Sequence, residues 1–443
     1  MGTSYGDTDM KMMQKQSNAD RAKRYFFTAQ QTYYEQPLTL VDGEGSRVRD
    51  DEGNEYLDGF AGICTNTLGY GDNEVGRAVA DQATKLVHVS TLYLNEPMLD
   101  LAEKIAQIAP EGLSKSFFSN SGSEANEVAT LIARTASPKH SVDLLSLDHA
   151  YHGRTAYTVA LAGQSQWRNF ATQMPHAAFV PNPYCYRCPL GMTYPSCEIA
   201  CAKYAKRVIE SQTDGAPAAM IAETVSGVGG IIAPPPEYFK VLKETLAPYG
   251  TLLIADEVQA GWGRLGDGWF GMVSSYGVAP DIITSAKGLA SGFPIGITIT
   301  RPELADSFKG PHINTFGGNP VATRAAHVTI EVIEKRNLIE NCKRQGETMM
   351  AGLRDLATKY DTIGDVRGKG LMVGVELVRD RASKTIAPDL ATKMLEEMRK
   401  RKVLIGKGGR YGNVLRIQPP FIFDENDVRE FLRAFKESIA AIS

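Results

Sequence analysis

Short apolar runs, each ending in a polar or charged residue, recur through the middle of the chain. Segments with the spacing of amphipathic helices separate them. Runs of about four to six apolar residues at such intervals are typical of βαβ units around a mostly parallel sheet. The runs are SFFSN (116–120), VDLLSL (142–147), AAMIAET (218–224), TLLIADEV (251–258) and DIITSAKG (281–288).

The flanking segments have other patterns. Hairpins are predicted for residues 36–58, long amphipathic helices for 321–360, strands for 364–378 and a last helix for 423–441. We therefore predict an α/β protein with a large domain over residues 60–315 and a smaller α+β domain over 316–443. The N-terminal segment, residues 1–59, is expected to contribute to the small domain.

Composition narrows the class of protein. The chain has 443 residues, 43% apolar and 22% charged, a balance typical of soluble globular proteins. The 48 Lys and Arg against 51 Asp and Glu leave a net charge of −3, which argues against a nucleic-acid partner. No apolar run approaches the roughly 20 residues that span a bilayer.

The N-terminus is polar and has no signal-like apolar core, and Gly6 stands where a myristoylation site requires Ser or Thr. We expect a cytoplasmic protein in which roughly the first 20 residues, the polar N-terminal segment, are mobile.

Three of the predicted strand ends carry ionisable side chains: Glu223, Asp256 and Lys287. They are 33 and 31 residues apart (256 − 223 and 287 − 256), about one βαβ unit each. Because the carboxyl ends of strands in an open α/β sheet line the ligand crevice, we expect these residues to converge.

The segment SNSGSEANE (119–127) places Gly122 and Ser123 between a strand and a helix. Free N–H groups at a helix start bind anions, so the segment suits a phosphate. An ordinary helix capped by Ser123 explains it equally well.

Asp256 ends an apolar strand and needs a cationic or hydrogen-bonding partner if it is buried. A pyridinium nitrogen would serve, with Gln259 near a ring substituent. The alternative is an Asp that caps the next helix. In HAYHGRT (149–155), Tyr151 could stack on a flat ring and His152 could bond nearby, or the segment could be a surface turn.

Lys287 lies in TSAKGLASGFPIG, among small residues and without an acidic neighbour in sequence. Desolvation would lower the pKa of its amine and favour a Schiff base with an aldehyde. An exposed lysine at a helix start is the alternative. In NTFGGNP, the hydroxyl of Thr315 is a candidate hydrogen-bond donor to a phosphate. In LRIQPP, Arg416 suits a substrate carboxylate or a structural salt bridge.

The chain resembles the class III (ω-amino acid type) aminotransferases, pyridoxal-phosphate enzymes of fold type I. The resemblance covers roughly residues 35–440, in NSGSEANE, HAYHGRT, IADEVQAGWGRLG, SAKGLASGFPIG, NTFGGNP and VRGKGLMVGVEL. It implies that Lys287 forms the internal aldimine with pyridoxal 5'-phosphate and then shuttles a proton. The other implied roles fall on Asp256 and Gln259 at the ring nitrogen and hydroxyl, Val258 and Tyr151 on the two ring faces, and Gly122, Ser123 and a second subunit's Thr315 at the phosphate.

The resemblance also implies that Arg416 binds the acceptor's carboxylate and that Glu223 neutralises it when the donor has none. Family members are homodimers with shared active sites, and the sequence leaves dimers and tetramers open. Three positions depart from common family patterns. GYGDNE (69–74) replaces a Gly-His-x-His-Pro segment, Cys64 stands where an aromatic is frequent, and Thr224 replaces a proline.

Two reactions therefore stay open. The first is transfer of an amino group from an ω-amine or amino acid to a 2-oxo acid, pyruvate or 2-oxoglutarate. The alternative is an ammonia-lyase or phospho-lyase of the same family acting on a small aminoalkyl phosphate or phosphonate. A non-catalytic binding module or dinucleotide enzyme is disfavoured, because no G-x-G-x-x-G opens an early helix.

Four cysteines, Cys185, Cys188, Cys197 and Cys201, follow the spacing C-x2-C-x8-C-x3-C. Such spacing is compatible with zinc, with disulfides or with free thiols, and we assign no metal.

Overall fold

The structure is a computed structural model that describes residues 17–71, 73–168 and 176–443. The expected mobility of the N-terminus falls mainly on residues 1–16, outside the described residues, as does Asp72 of the GYGDNE segment.

Helices and strands alternate through the middle of the chain, and helices dominate its last third. The helices are α1 (Asn18–Tyr25), α2 (Ala61–Cys64), α3 (Glu74–Lys85), α4 (Glu96–Ile108), α5 (Gly122–Ala136), α6 (Ala156–Ala160), α7 (Ala200–Lys203), α8 (Ala205–Gln212), α9 (Tyr238–Leu246), α10 (Gly271–Ser274), α11 (Pro302–Ser307), α12 (Pro320–Lys335), α13 (Leu338–Lys359), α14 (Pro388–Lys400) and α15 (Glu425–Ile442). The strands are β1 (Leu40–Glu44), β2 (Arg47–Asp50), β3 (Glu55–Asp58), β4 (Lys115–Ser119), β5 (Leu144–Leu147), β6 (Ala177–Val180), β7 (Ala219–Glu223), β8 (Leu252–Asp256), β9 (Ile282–Ser285), β10 (Gly296–Thr300), β11 (Ile363–Lys369), β12 (Met372–Leu377), β13 (Val403–Leu404), β14 (Gly406–Gly408) and β15 (Val414–Ile417).

The central element is a seven-stranded sheet with the order β4-β10-β9-β8-β7-β5-β6. Strands β6, β5, β7, β8 and β9 run parallel, and β10 runs antiparallel to both β9 and β4. All five apolar runs of the sequence form strands of this sheet, so the predicted mostly parallel α/β sheet is confirmed.

Alternate residues of the central strands pack into two separate apolar clusters. Ile221 and Ile254 belong to the cluster that contains α5, whereas Met220 and Leu253 belong to the cluster that contains α9. A sheet that is buried on both faces requires strands that are apolar throughout, which is the pattern of these runs.

The described residues also form two four-stranded sheets, with the orders β1-β2-β3-β13 and β11-β12-β15-β14. The parallel pairing of β3 with β13 joins the N-terminal segment to the last third of the chain. Helix α12 packs against α3 and α4. The division at residues 59 and 315 stays a prediction. No helix in the described part of the chain has the length and apolar character to cross a membrane.

Candidate active site

Three adjacent parallel strands bring polar residues to one edge of the central sheet. In the strand register, Glu223 of β7 pairs with Asp256 of β8, and Asp256 pairs with Thr284 of β9. Lys287 follows three residues after Thr284, in a 3-10 turn over Lys287–Ala290. Residues separated by more than 60 positions in sequence (287 − 223 = 64) thus meet at the same end of the sheet.

Asp256 is a buried carboxylate whose hydrogen-bond partners are an asparagine, a histidine and a backbone N–H group. Its Oδ2 atom accepts a hydrogen bond from Asn126 Nδ2 at 2.8 Å and lies 2.7 Å from His152 Nδ1. Its Oδ1 atom accepts from the N–H of Val258 at 3.1 Å. Within the described residues Asp256 has no Lys or Arg ion-pair partner, although only 3% of it is exposed. It therefore retains the capacity to bind a cationic group.

The Lys287 amine forms no hydrogen bond or ion pair with any other described residue. Its backbone has a φ of +43°, in the left-handed region that non-glycine residues rarely adopt. Burial lowers the pKa of the Lys287 amine below its usual value, and the positive charge of Arg416 acts in the same direction. A lowered pKa increases the neutral fraction, which is the nucleophilic form.

Helix α5 starts at Gly122, next to Val258. A Cβ atom at Gly122 would lie 2.9 Å from Val258 Cγ2, so only glycine allows this approach. The N-cap is Ser121, whose hydroxyl accepts from the N–H of Glu124, and not Ser123 as the capping alternative expected. Ser123 Oγ instead accepts from the N–H of Arg154 at 3.1 Å.

The N–H groups of Gly122 and Ser123 precede the first α5 hydrogen bond, which Ala125 N–H donates to Ser121. They are available to an anion at the positive end of the helix dipole.

The HAYHGRT segment packs against this helix start and against Glu223. The N–H of Tyr151 donates to Glu223 Oε1 at 3.0 Å, and the Tyr151 ring meets Trp167 edge-on with centroids 5.3 Å apart. His152 is buried, and its Nε2 atom has no partner among the described residues. The segment is therefore a partly buried wall of the site and not a simple surface turn.

Glu223 is engaged by backbone donors on both oxygens. Oε1 accepts from Tyr151, and Oε2 accepts from the N–H of Gly227 at 2.8 Å. Burial raises the pKa of Glu223 to about 7, and the negative charge of Asp256 adds to this effect. Glu223 and Arg416 form no ion pair in this structure.

Arg416 lies on β15 and is 4% exposed. Its Nη2 atom donates to Gln259 Oε1 at 2.8 Å and to Gln418 Oε1 at 2.9 Å. Its guanidinium carbon lies 5.3 Å from the centre of the Phe60 ring. No carboxylate of the described residues pairs with it, so the structural salt bridge that the sequence left open is absent here.

Cys64 approaches the same amide oxygen from an unusual backbone. Residues 61–64 all have φ between 49° and 65°, so α2 is a left-handed turn. Cys64 Sγ lies 3.6 Å from Gln259 Oε1. The following chain docks on the lysine turn, since Thr67 Oγ1 donates to the carbonyl of Gly288 at 2.8 Å.

Thr315 is exposed and forms no hydrogen bond with Gly122 or Ser123 within this chain. Its neighbour Asn314 contacts the start of α5, where Asn314 Nδ2 donates to Glu124 Oε1 at 3.2 Å.

The four clustered cysteines are free thiols that line one cavity of about 20 Å³. Across the described residues, no three His, Cys, Asp or Glu side chains are placed to hold a metal ion.

A family model described as Aminotransferase class-III matches residues 28–439. The chain belongs to the class III aminotransferases. It is 40% identical over 412 residues to "Alanine--glyoxylate aminotransferase 2 homolog 2, mitochondrial" from Arabidopsis thaliana, with 92% of this chain and 84% of the relative covered. It is 37% identical over 436 residues to "Leucine/methionine racemase" from Thermococcus litoralis, with 97% of this chain and 96% of the relative covered.

A solved aminotransferase structure from Bacillus anthracis has a TM-score of 0.89 and 34% identity, covering 96% of this chain and 98% of that one. The fold is therefore fold type I, and the protein is a pyridoxal-phosphate-dependent aminotransferase.

The residues at the sheet edge fit pyridoxal phosphate. Lys287 offers an unpaired amine for the aldehyde, and buried Asp256 can take the charge of the pyridine nitrogen. The start of α5 offers N–H groups for the phosphate. The close approach of Val258 to Gly122 brings the segment after β8 against that phosphate-binding turn.

Two buried polar residues of the site, Asn126 and Gln418, were not identified from the sequence. Asn126 donates to both Asp256 Oδ2 and the carbonyl of His152. Gln418 Oε1 accepts a hydrogen bond from Arg416 Nη2 at 2.9 Å. Thr224, which the sequence marks only as a departure from the family pattern, donates from Oγ1 to the buried Glu257 at 2.7 Å. A polar residue within an apolar helix stripe could have indicated Asn126, because buried polar groups need partners.

Proposed function

We propose that this aminotransferase moves an amino group from an ω-amine or amino acid to a 2-oxo acid, pyruvate or 2-oxoglutarate. The observation that carries the proposal is Arg416, a buried guanidinium whose only hydrogen-bond acceptors among the described residues are two neutral amides. A guanidinium presents a planar fork of donors that matches a carboxylate. A substrate carboxylate would supply the negative charge that Gln259 and Gln418 do not offer to Arg416.

The reacting end of the site is assigned to Lys287, Asp256 and Tyr151. Lys287 would anchor the cofactor covalently through Nζ and then move the proton between substrate carbon and cofactor carbon. The cofactor supplies an electron sink and carries the amino group between the two substrates. Asp256 would hold the ring nitrogen protonated, with His152 and Asn126 fixing the carboxylate.

The remaining cofactor contacts follow from position. Val258 and Tyr151 would pack on the two ring faces, Gln259 would meet the ring hydroxyl, and Gly122 and Ser123 would bind the phosphate. Their support is the approach of Gly122 to Val258 and the burial around Tyr151.

Substrate discrimination is assigned to Arg416, Glu223 and Cys64. Arg416 would bind the carboxylate of the acceptor. When the amine substrate has no such carboxylate, Glu223 would neutralise Arg416. For this, the Glu223 side chain would have to break its hydrogen bonds with the N–H groups of Tyr151 and Gly227. Cys64, smaller than an aromatic residue, would leave room beside Gln259.

The active unit is proposed to be a homodimer in which Thr315 of a second copy completes the phosphate site. The support is the exposure of Thr315 together with large apolar residues that a partner could cover, at Leu92, Tyr93, Leu94, Ile313 and Phe316. The cytoplasmic location and the choice between dimer and tetramer stay predictions from the sequence.

A parallel screen of donors and acceptors tests the reaction. Each amine is incubated with pyruvate or 2-oxoglutarate, and both the amino-acid product and free ammonia are quantified. The proposal expects alanine or glutamate in proportion to donor consumed. Release of ammonia or phosphate without any 2-oxo acid would instead establish the lyase reaction. Racemised donor with no amino-acid product would also exclude the transferase.

A further inference from the structure

The amide groups of Gln259 and Gln418 surround the buried head of Arg416. Gln418 is fully buried and uses both ends of its amide. Its Oε1 accepts from Arg416 Nη2 at 2.9 Å, and its Nε2 donates to Gln259 Oε1 at 3.1 Å. Gln259 Oε1 also accepts from Arg416 at 2.8 Å. Because arginine only donates hydrogen bonds, both amide oxygens must face it, and the three side chains orient one another.

Neighbouring glycines leave the space for this arrangement. A Cβ atom at Gly227 would lie 2.6 Å from the Gln259 amide, and one at Gly408 would lie 2.7 Å from Arg416 Cδ. Phe60 covers the guanidinium on one side. The amides and the arginine are therefore packed closely against the surrounding backbone and the Phe60 ring.

The arrangement leaves much of the arginine unsatisfied. Only Nη2 is bonded, and the buried Nε has no partner among the described residues. A guanidinium has five N–H donors, and bonds to neutral amides are weaker than bonds to a carboxylate. The arginine is thus held in place without being neutralised.

We propose that Gln418 is a positioning residue that holds Arg416 in its resting place, and that Arg416 exchanges this amide for the carboxylate of the incoming substrate. A neutral acceptor at this position keeps the arginine buried and oriented, yet yields to a charged acceptor. This inference rests on the proposed function, since it assumes that Arg416 receives a substrate carboxylate.

Two substitutions at Gln418 should act in opposite directions. In Gln418→Glu a fixed carboxylate would pair with Arg416 and compete with substrate, so binding of the 2-oxo acid should weaken by about tenfold or more. In Gln418→Leu the resting acceptor is lost, so exchange costs less, and binding should tighten by about fivefold.

Isothermal titration calorimetry of the holoenzyme with 2-oxoglutarate and with pyruvate, in the absence of any amine, measures these dissociation constants without turnover. Gln345→Glu and Gln345→Leu are matched controls, because Gln345 is a buried glutamine of α13 that bonds Asn341. They should leave the dissociation constants within about twofold of wild type. Circular dichroism confirms folding of each variant.

Weakened binding in both Gln418 variants would overturn the inference, since it would mean that Gln418 supports the bound state. Unchanged binding in both would overturn it as well, while tight binding by wild type would leave the proposed function standing. If wild type itself binds no 2-oxo acid and forms no amino-acid product, the proposed function fails and the role of Gln418 fails with it. Should Gln418→Leu not fold, Gln418→Met takes its place, because it also removes the amide and keeps the length of the side chain.

Discussion

Glu223 and Asp256 are register partners on adjacent parallel strands, and their buried carboxylates have different neighbours. Glu223 accepts hydrogen bonds only from the backbone, at Tyr151 and Gly227. Asp256 is bound by Asn126 and lies against His152 as well. Two acidic residues at equivalent strand ends therefore have different hydrogen-bonding surroundings.

The raised pKa of Glu223 predicts a pH-dependent cost in stability. Burial raises this pKa from 4.5 to about 7, so between these values the folded state holds a proton that the unfolded chain releases. Stability therefore falls as the pH rises from 4.5 through 7, by at most about 3 kcal/mol. Glu223→Gln should remove this fall.

Thermal unfolding of the holoenzyme at several pH values between about 5 and 8, a range that brackets the titration, measures the slope. The exposed Glu210→Gln serves as control and should show the wild-type slope. Parallel curves for wild type and Glu223→Gln would contradict the prediction.

Lys287 is predicted to be the residue that carries the cofactor. Reduction of the holoenzyme with borohydride, followed by digestion and mass spectrometry, should place the added mass on the peptide that contains Lys287. Lys287→Ala and Lys287→Arg should both lose turnover by about a thousandfold or more, because neither offers a nucleophilic amine. Equal labelling of another lysine in wild type would refute the assignment.

Asp256→Asn should lower kcat by about a hundredfold or more, because a neutral amide cannot hold a cationic ring nitrogen. The absorption spectrum of the bound cofactor should change with it. The matched control is Asp281→Asn. Asp281 stands just before β9, at the end of the parallel strands opposite to Asp256, and pairs with Arg301. This control should keep the wild-type spectrum and kcat, and a spectral change there but not in Asp256→Asn would reverse the assignment.

Thr224 is predicted to stabilise the fold through the buried Glu257. Its hydroxyl donates to Glu257 Oε1, which also accepts from the N–H of Met272. Thr224→Val keeps the shape but removes the donor, and should lower the free energy of unfolding by about 1–3 kcal/mol. Thr329→Val in α12 is the control, because that buried hydroxyl donates only to a helix carbonyl. Chemical denaturation measures both, and an equal loss in the two variants would contradict the special role of Glu257.

The amino-acid sequence was enough to predict the mostly parallel sheet and the meeting of Glu223 and Asp256 at one of its edges. Its apolar runs correspond to strands of the central sheet, and Glu223 and Asp256 end two of them in register. The strands could be predicted because burial of the sheet on both faces requires continuous apolar runs. The meeting of their polar ends could be predicted because parallel strands end at one edge of the sheet. The motifs around Lys287, Gly122 and Tyr151 are sufficient to indicate the family.

The hydrogen-bond partners of the polar side chains, by contrast, became known from the three-dimensional structure. Arg416 lies between Gln259 and Gln418, more than 150 residues apart (418 − 259 = 159), and Ser121 caps α5 in place of Ser123. Glu223 bonds the backbone, not Arg416. Periodicity records which face of an element is buried, whereas a hydrogen bond depends on distances between elements that no local pattern contains.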